Sequence, residues 1–198
     1  CALDVVRTQL SNLNTYYNNF EAINPIEHIK HRLKSPESIA GKLKKKDLPV
    51  TADAADEHLS DIAGIRIICS YAKNIYEIVE IIKSQEAFTV VSEKDYLRNV
   101  KKTGYRSYHM IVEVNLGHLF SEQTCRVEIQ LRTSAMDFWA TLEHKVRYKY
   151  DGQIPEQLSG ELQNCAEQIH ALDERMYLIH KVLDMINQSE VDIEQIGY

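Results

Sequence analysis

Cysteine is scarce in this 198-residue chain, and its spacing excludes more than its number does. Cys1, Cys69, Cys125 and Cys165 form no CxxC pair and no Cys/His cluster, so no zinc site is expected. Reduced thiols in a cytoplasmic protein are the expectation, with Cys69 and Cys125 as small hydrophobes inside strand-like runs. No stretch approaches the ~18 apolar residues of a membrane span, and no signal-peptide pattern opens the chain, so no membrane partner is expected. The GxxxxGK[ST] pattern of a Walker A loop is missing. Internal repeats, low-complexity segments and linkers are missing too, which leaves residues 1–198 as one expected domain. What remains is ordinary globular material, 44% hydrophobic and 26% charged.

The net charge of −6 conceals an uneven distribution. Lys30, Arg32, Lys34, Lys42, Lys44, Lys45 and Lys46 face Glu37 alone between residues 30 and 46. Lys94, Arg98, Lys101, Lys102 and Arg106 face Asp95 alone in the next cluster, whereas acids dominate from Tyr150 onward. Such clusters suit anionic ligands, or they are simply solvated faces.

Leu3, Val6, Leu10, Leu13, Tyr17 and Phe20 recur at helical spacing and predict a helix over 2–22, broken by Asn24-Pro25. Residues 26–34 read as a strand with Lys30, Arg32 and Lys34 on one face. Ser35-Pro36-Glu37 supplies a cap, a first-position proline and a first-turn acid for a helix over 36–45. A short helix follows over 54–59, a buried strand over 63–70, and an amphipathic helix over 74–85 through Ile75, Ile78, Val79 and Ile82. Strands are expected over 88–94, 105–114 and 126–133, then a helix over 134–150. Asp151-Gly152 turns the chain into a helical region over 155–188. About five strands interleaved with helices imply an α/β (α+β) fold with a mixed sheet, flanked by N- and C-terminal helices. The stripe Leu158, Leu162, Cys165, Ile169, Leu172, Met176, Ile179, Leu183, Ile186 is longer than one small sheet can cover, so self-association is expected.

Four segments carry candidate chemistry. In Arg126–Thr133, Val127, Ile129 and Leu131 share one strand face, while Arg126, Glu128, Gln130 and Arg132 share the other. A carboxylate between guanidiniums, just before a helix, suits metal and phosphate as well as plain solvent. Arg32 and Lys34, with Ser38 and Lys42 four apart on the next helix, can hold a polyphosphate by charge and dipole. Asp61 stands at the mouth of a strand where it can reach Mg²⁺ or merely cap a turn, and Arg66 lies between Ile65 and Ile67, where a guanidinium needs a partner. Lys101-Lys102-Thr103-Gly104-Tyr105-Arg106-Ser107-Tyr108-His109 sets an aromatic ring beside bases, a stacking surface for a purine or a tyrosine-rich edge strand. There Tyr105, Ser107 and His109 are expected on one strand face.

Taken in order, HRLKSPESIAGKL, DIAGIR, KDY…KKTGYRSYH and VEIQLRTSAMDFWATLEHKVRYKY resemble the synthetase domain of the RelA/SpoT alarmone family, in particular its stand-alone small synthetases. The resemblance spans roughly residues 25–150, with no His-Asp pair of the family's hydrolase half anywhere in the chain. It implies a nucleotidyltransferase-like fold and transfer of pyrophosphate from ATP to the 3′-hydroxyl of GDP or GTP. Asp61 and Glu128 would be Mg²⁺ carboxylates, with Glu128 also taking the hydroxyl proton and Lys94 adding charge near the transferred group. Arg32 and Arg66 would flank adenine, and Lys34, Ser38, Lys42 and Lys45 would hold ATP phosphates. Tyr105 would stack on guanine, with Lys101, Arg106, His109, Gln130 and Asp137 around the acceptor. Asp137 stands where small relatives often carry Asn, and it could accept from guanine N1–H and N2–H₂. The resemblance also implies a homotetramer, and RNA is not indicated as a partner. Two alternatives stay open: another acceptor (an adenine nucleotide or a tRNA 3′ end), or a nucleotide- or RNA-binding regulator without catalysis.

Overall fold

Strand alternation builds a sheet with one apolar and one polar face. The computed structural model describes residues 1–117, 124–149 and 154–196. In it β1 (Ile26–Leu33), β2 (Ala63–Cys69), β3 (Thr89–Asp95), β4 (Tyr108–Asn115) and β5 (Thr124–Thr133) form a five-stranded sheet, ordered β1-β2-β5-β4-β3. The β2–β5 pair is parallel and the other pairs antiparallel, so the sheet is mixed, as expected. Contacts gather the chain into two compact units, Cys1–Lys101 with Arg106–Ser134, and Lys102–Tyr105 with Ala135–Tyr198.

The first unit holds the sheet with α1 (Ala2–Phe20), α2 (Pro36–Lys45), α3 (Ala52–His58) and α4 (Ala72–Lys83). Ile65, Ile67, Met110, Val112, Val127, Ile129 and Leu131 are all at most 2% exposed. Leu3, Val6 and Leu10 of α1 and Ile75, Ile78, Val79 and Ile82 of α4 complete this core. Each large side chain so buried contributes about 1.5–3 kcal/mol. Leu43, Ala54, Ala55 and Leu59 form a smaller core between α2 and α3, backed by Ile39, Leu48 and Ile62. Ser35 caps α2 as expected, its Oγ accepting from Ser38 N–H at 3.3 Å. Cys69 is fully buried, which pushes its thiol up to about 12; Cys125 is half-buried, and all four cysteines are free of disulfides.

Several boundaries differ from the sequence reading. α1 stops at Phe20, whose ring is 75% exposed, so the end of its apolar stripe leaves the sheet. α3 starts at Ala52 because Thr51 Oγ accepts from Ala54 N–H, and α4 starts at Ala72 because Asn74 Oδ1 accepts from Tyr71 N–H. β4 starts at Tyr108 rather than Tyr105. The Asp151-Gly152 turn lies outside the described residues.

The second unit contains α5 (Ser134–Lys149) from Ala135 onward, and α6 (Glu156–Ile196), which runs beyond the expected end. Trp139, Ala140 and Ala166 form its buried cluster, with Tyr105 and Ile169 packed against it. Trp139 Nε1 donates to the Leu162 carbonyl at 3.1 Å. Gly104 has φ +86°, and a Cβ there would fall 2.4 Å from Ala166 Cβ. Both the conformation and the close approach therefore demand glycine.

Candidate active site

The polar face of the sheet is organised by register. Lys94 pairs with His109, His109 with Gln130, Gln130 with Arg66, and Arg66 with Lys30, so one row crosses every strand. In the neighbouring row Glu128 lies opposite Gly64, and Gly64 opposite Arg32. Lys30, Arg32, Gly64, Arg66, Glu128 and Gln130 line a pocket of about 200 Å³. Gly64 forms part of its floor: an added Cβ would lie 3.8 Å from Arg32 Cγ and 3.9 Å from the Glu128 carbonyl oxygen.

Glu128 is 15% exposed and both its oxygens are engaged. Oε2 accepts from Gln130 Nε2 at 3.0 Å, and Oε1 lies 3.3 Å from His109 Nδ1. Burial disfavours its ionised form, but the His109 and Gln130 contacts outweigh burial and hold the carboxyl below its usual value. The charge of Asp61 pushes in the opposite direction, so the two carboxylates share one electrostatic field.

Asp61, just ahead of β2, is a charge hub. Its Oδ2 accepts from Lys34 Nζ and Lys42 Nζ, each at 2.6 Å. Lys34 is carried in by the end of β1, where its N–H bonds the Ile62 carbonyl at 2.8 Å, and Lys42 by α2. Burial raises the Asp61 pKa, yet the two lysine hydrogen bonds and charges prevail and lower it. Oδ1 is buried with no hydrogen-bond partner among the described residues. An orphaned carboxylate oxygen within the field of a second carboxylate fits a hard divalent cation. No group of three His, Cys, Asp or Glu side chains gathers into a metal cage among the described residues.

The other expected residues are distributed unevenly. Ser38 sits on the capped first turn of α2, its Oγ accepting from Ser35 Oγ at 3.1 Å, whereas Lys45 is exposed at the helix end. Asp95 shapes the turn after β3, Oδ1 accepting from Leu97 N–H and Arg98 N–H and Oδ2 from Tyr76 OH. Tyr96 then stands with Lys101 Nζ 4.4 Å above its ring and His109 edge-on at 5.3 Å. Arg106 donates to the Leu97 carbonyl at 3.2 Å. The expectation that Tyr105, Ser107 and His109 share a strand face fails. Ser107 is fully buried ahead of β4, and Tyr105 belongs to the second unit, where its ring packs on the Trp139 cluster. Asp137, in the first turn of α5, is buried in that same unit.

The family model describing a region found in RelA/SpoT proteins matches residues 31–153. The chain belongs to the RelA/SpoT family. GTP pyrophosphokinase YwaC of Bacillus subtilis is 45% identical over 183 residues, covering 92% of this chain and 87% of that protein. GTP pyrophosphokinase YjbM of the same organism is 39% identical, covering 88% and 82%. The crystal structure of small alarmone synthetase 1 from Bacillus subtilis, bound to its product pppGpp, matches with a TM-score of 0.83 at 38% identity, covering 91% of each chain.

For three residues the sequence pattern names the side chain and leaves its surroundings open. Lys30 was recognisable by its alternation with Arg32, but its place in the Arg66 row depends on pairing register. Tyr96 belongs to the KDY motif, but its contacts with Lys101 and His109 depend on the turn after β3. Arg132 is one of the two guanidiniums on the polar face of β5, and the alternation gives no sign that it is only 5% exposed.

Proposed function

We propose that this chain is a (p)ppGpp synthetase that transfers pyrophosphate from ATP to the 3′-hydroxyl of GDP or GTP. The 3′-oxygen forms a bond to the β-phosphorus of ATP, the bond between that phosphorus and the α,β-bridging oxygen breaks, and AMP leaves. The observation that carries this reading is the pair of ionised carboxylates, Asp61 and Glu128, beside a pocket lined by Lys30, Arg32 and Arg66. Phosphoryl-type transfer depends on in-line positioning and neutralisation of charge, which such a set supplies.

Glu128 is the base that takes the 3′-hydroxyl proton; a low pKa does not disqualify it, provided the carboxylate reaches that hydroxyl. Arg32 and Arg66 flank the adenine, while Lys34, Ser38, Lys42 and Lys45 hold ATP phosphates. Each lysine ammonium has three donors, so Lys34 and Lys42 can keep Asp61 and still meet a phosphate. Lys94 adds charge near the transferred group. Lys101, Arg106, His109 and Gln130 of the first unit serve the acceptor nucleotide; for Tyr105 and Asp137 of the second unit, the resemblance implies stacking on guanine and acceptance from its N1–H and N2–H₂. Mg²⁺, held by Asp61 and Glu128, would neutralise charge on the transferred phosphates.

The active form is a homo-oligomer, a tetramer by resemblance. Leu172, Met176, Ile179, Leu183 and Ile186 of α6 are each 46–60% exposed, an apolar stripe that a second copy can cover. No described helix is long and apolar enough to cross a membrane, and the proposed place of action is the cytoplasm.

The test is incubation with Mg²⁺, labelled ATP and, separately, GDP, GTP, an adenine nucleotide and tRNA, with products resolved chromatographically. AMP and a pyrophosphorylated guanosine nucleotide are expected, and Glu128→Gln should form neither. Product on adenine or tRNA alone, or no product from wild type, overturns the reading.

A further inference from the structure

Arg132 ends the polar face of β5, four residues after Glu128, and it is more deeply buried than any other charged residue on that face. A buried guanidinium is costly unless its donors are met, so its partners show what it is for. Arg132 Nη2 donates to Gln130 Oε1 at 3.0 Å, and Gln130 Nε2 donates to Glu128 Oε2 at 3.0 Å. Arg132 Nε reaches Ser107 Oγ at 3.4 Å, and that fully buried hydroxyl donates to the Leu131 carbonyl at 3.1 Å. The guanidinium is thus anchored to the sheet backbone at one end and to the Gln130 amide at the other.

An amide can present either end, but a guanidinium carries only donors and keeps its charge. Beside Arg132 the amide must therefore turn Oε1 inward, which sends Nε2 to the carboxylate. With one oxygen on Gln130 and the other on His109, the Glu128 carboxylate plane is fixed. Without the guanidinium, a flipped amide would place Oε1 against Glu128 Oε2, two acceptors in contact, and the carboxylate would rotate away.

We infer that Arg132 is a positioning residue for Glu128, acting through the orientation of the Gln130 amide. The inference rests on the proposed synthetase reaction, in which Glu128 must reach a hydroxyl. Misplacing a reacting group by about 1 Å costs on the order of 100-fold in rate.

Steady-state kinetics of Arg132→Met, Gln130→Met and the double variant test it, with circular dichroism and melting temperature as fold controls. Arg132→Met is expected to lower kcat by about 10- to 100-fold with little change in KM for ATP. In the Gln130→Met background the same change should have almost no further effect, because the amide it orients is gone. Arg132→Lys, which keeps a charged donor, should retain more kcat than Arg132→Met. It also supports the same cycle with Gln130→Met if the methionine variant does not fold. Losses that multiply in the double variant, or a loss confined to KM, would overturn the role of Arg132. Wild-type protein that makes no pyrophosphorylated nucleotide would instead overturn the reaction itself.

Discussion

Asp61→Asn separates what the charge hub does for the fold from what it does for the reaction. The substitution keeps the shape of the side chain and removes the negative charge that two ammoniums share, each at 2.6 Å. Breaking a fully buried pair costs about 3–5 kcal/mol, and breaking an exposed one about 0–1 kcal/mol. Here the carboxylate is 18% exposed, Lys34 13% and Lys42 38%, which is between those limits. Lys34 and Lys42 would also repel each other without an intervening anion, while Glu128 would be relieved of a like charge. A net loss of about 2–3 kcal/mol is expected at neutral pH, or about 4–12 °C in Tm.

The pH dependence gives the sign. The Asp61 carboxyl titrates below its ordinary value of 3.8 in the folded chain, so its stabilisation is fully present above pH 3.8. It disappears as pH falls through the lowered folded value, and the Tm gap between wild type and variant should close over that range. Activity should drop by at least about 100-fold, as when a fixed electrostatic stabiliser is removed. Inorganic pyrophosphate should raise the Tm of the variant more than that of wild type, because the two lysines have lost their internal counter-ion. At ~100 times its dissociation constant such a ligand adds about 2.7 kcal/mol. The assay is differential scanning fluorimetry across pH, with and without pyrophosphate, beside product formation from ATP and GDP. Equal melting at pH 7, or a gap of constant size at every pH where the fold persists, would refute the hub.

Glu128→Gln should fold and lose about 10²- to 10⁴-fold in kcat, the usual contribution of a general base, and a loss under tenfold would remove Glu128 from that role. Gly104→Ala should destabilise the second unit by about 1–3 kcal/mol, since the methyl meets Ala166 Cβ at 2.4 Å and φ is +86°; unchanged melting contradicts that packing. Gly64→Ala should do the opposite: contacts at 3.8–3.9 Å leave stability within about 1 kcal/mol, while a methyl in the pocket floor raises KM for ATP. Tyr108 is buried and its hydroxyl donates to Glu93, which push its pKa up from 10.0 to about 12. Its neutral form stabilises the fold below pH 10, and that contribution is lost between pH 10 and about 12. Chemical denaturation at pH 9 and pH 11.5 should therefore show wild type losing more stability than Tyr108→Phe; parallel losses contradict this.

Local chemistry was legible wherever one segment carried its own signal. Alternation assigned both faces of β5, and Ser35-Pro36 placed the start of α2 where the structure has it. Legibility failed where a distant partner decides the local structure. Nothing in Thr103-Gly104-Tyr105 says that Ala166, some sixty residues away, leaves no room for a Cβ at Gly104, or that Tyr105 packs on the Trp139 cluster instead of joining β4. The convergence of Lys34, Lys42 and Asp61 is of the same kind. Each residue could be named as a phosphate or metal group, but three separate segments must fold before one carboxylate oxygen takes both ammoniums.

The row from Lys94 to Lys30 poses the question most sharply, because alternation gives faces and leaves register open. Slipping β2 by one residue against β5 would exchange its faces completely. Arg66 is the only charged residue of β2, flanked by Ile65 and Ile67, which are at most 2% exposed. In the slipped register its guanidinium would enter the core under α1 and α4, unpaired, at a cost of several kcal/mol. In the observed register it faces Gln130 in the row beside Glu128 and opens onto the pocket. The guanidinium that lines the pocket is thus also what forbids the competing sheet, and Arg66→Ile would remove both the charge and that constraint at once.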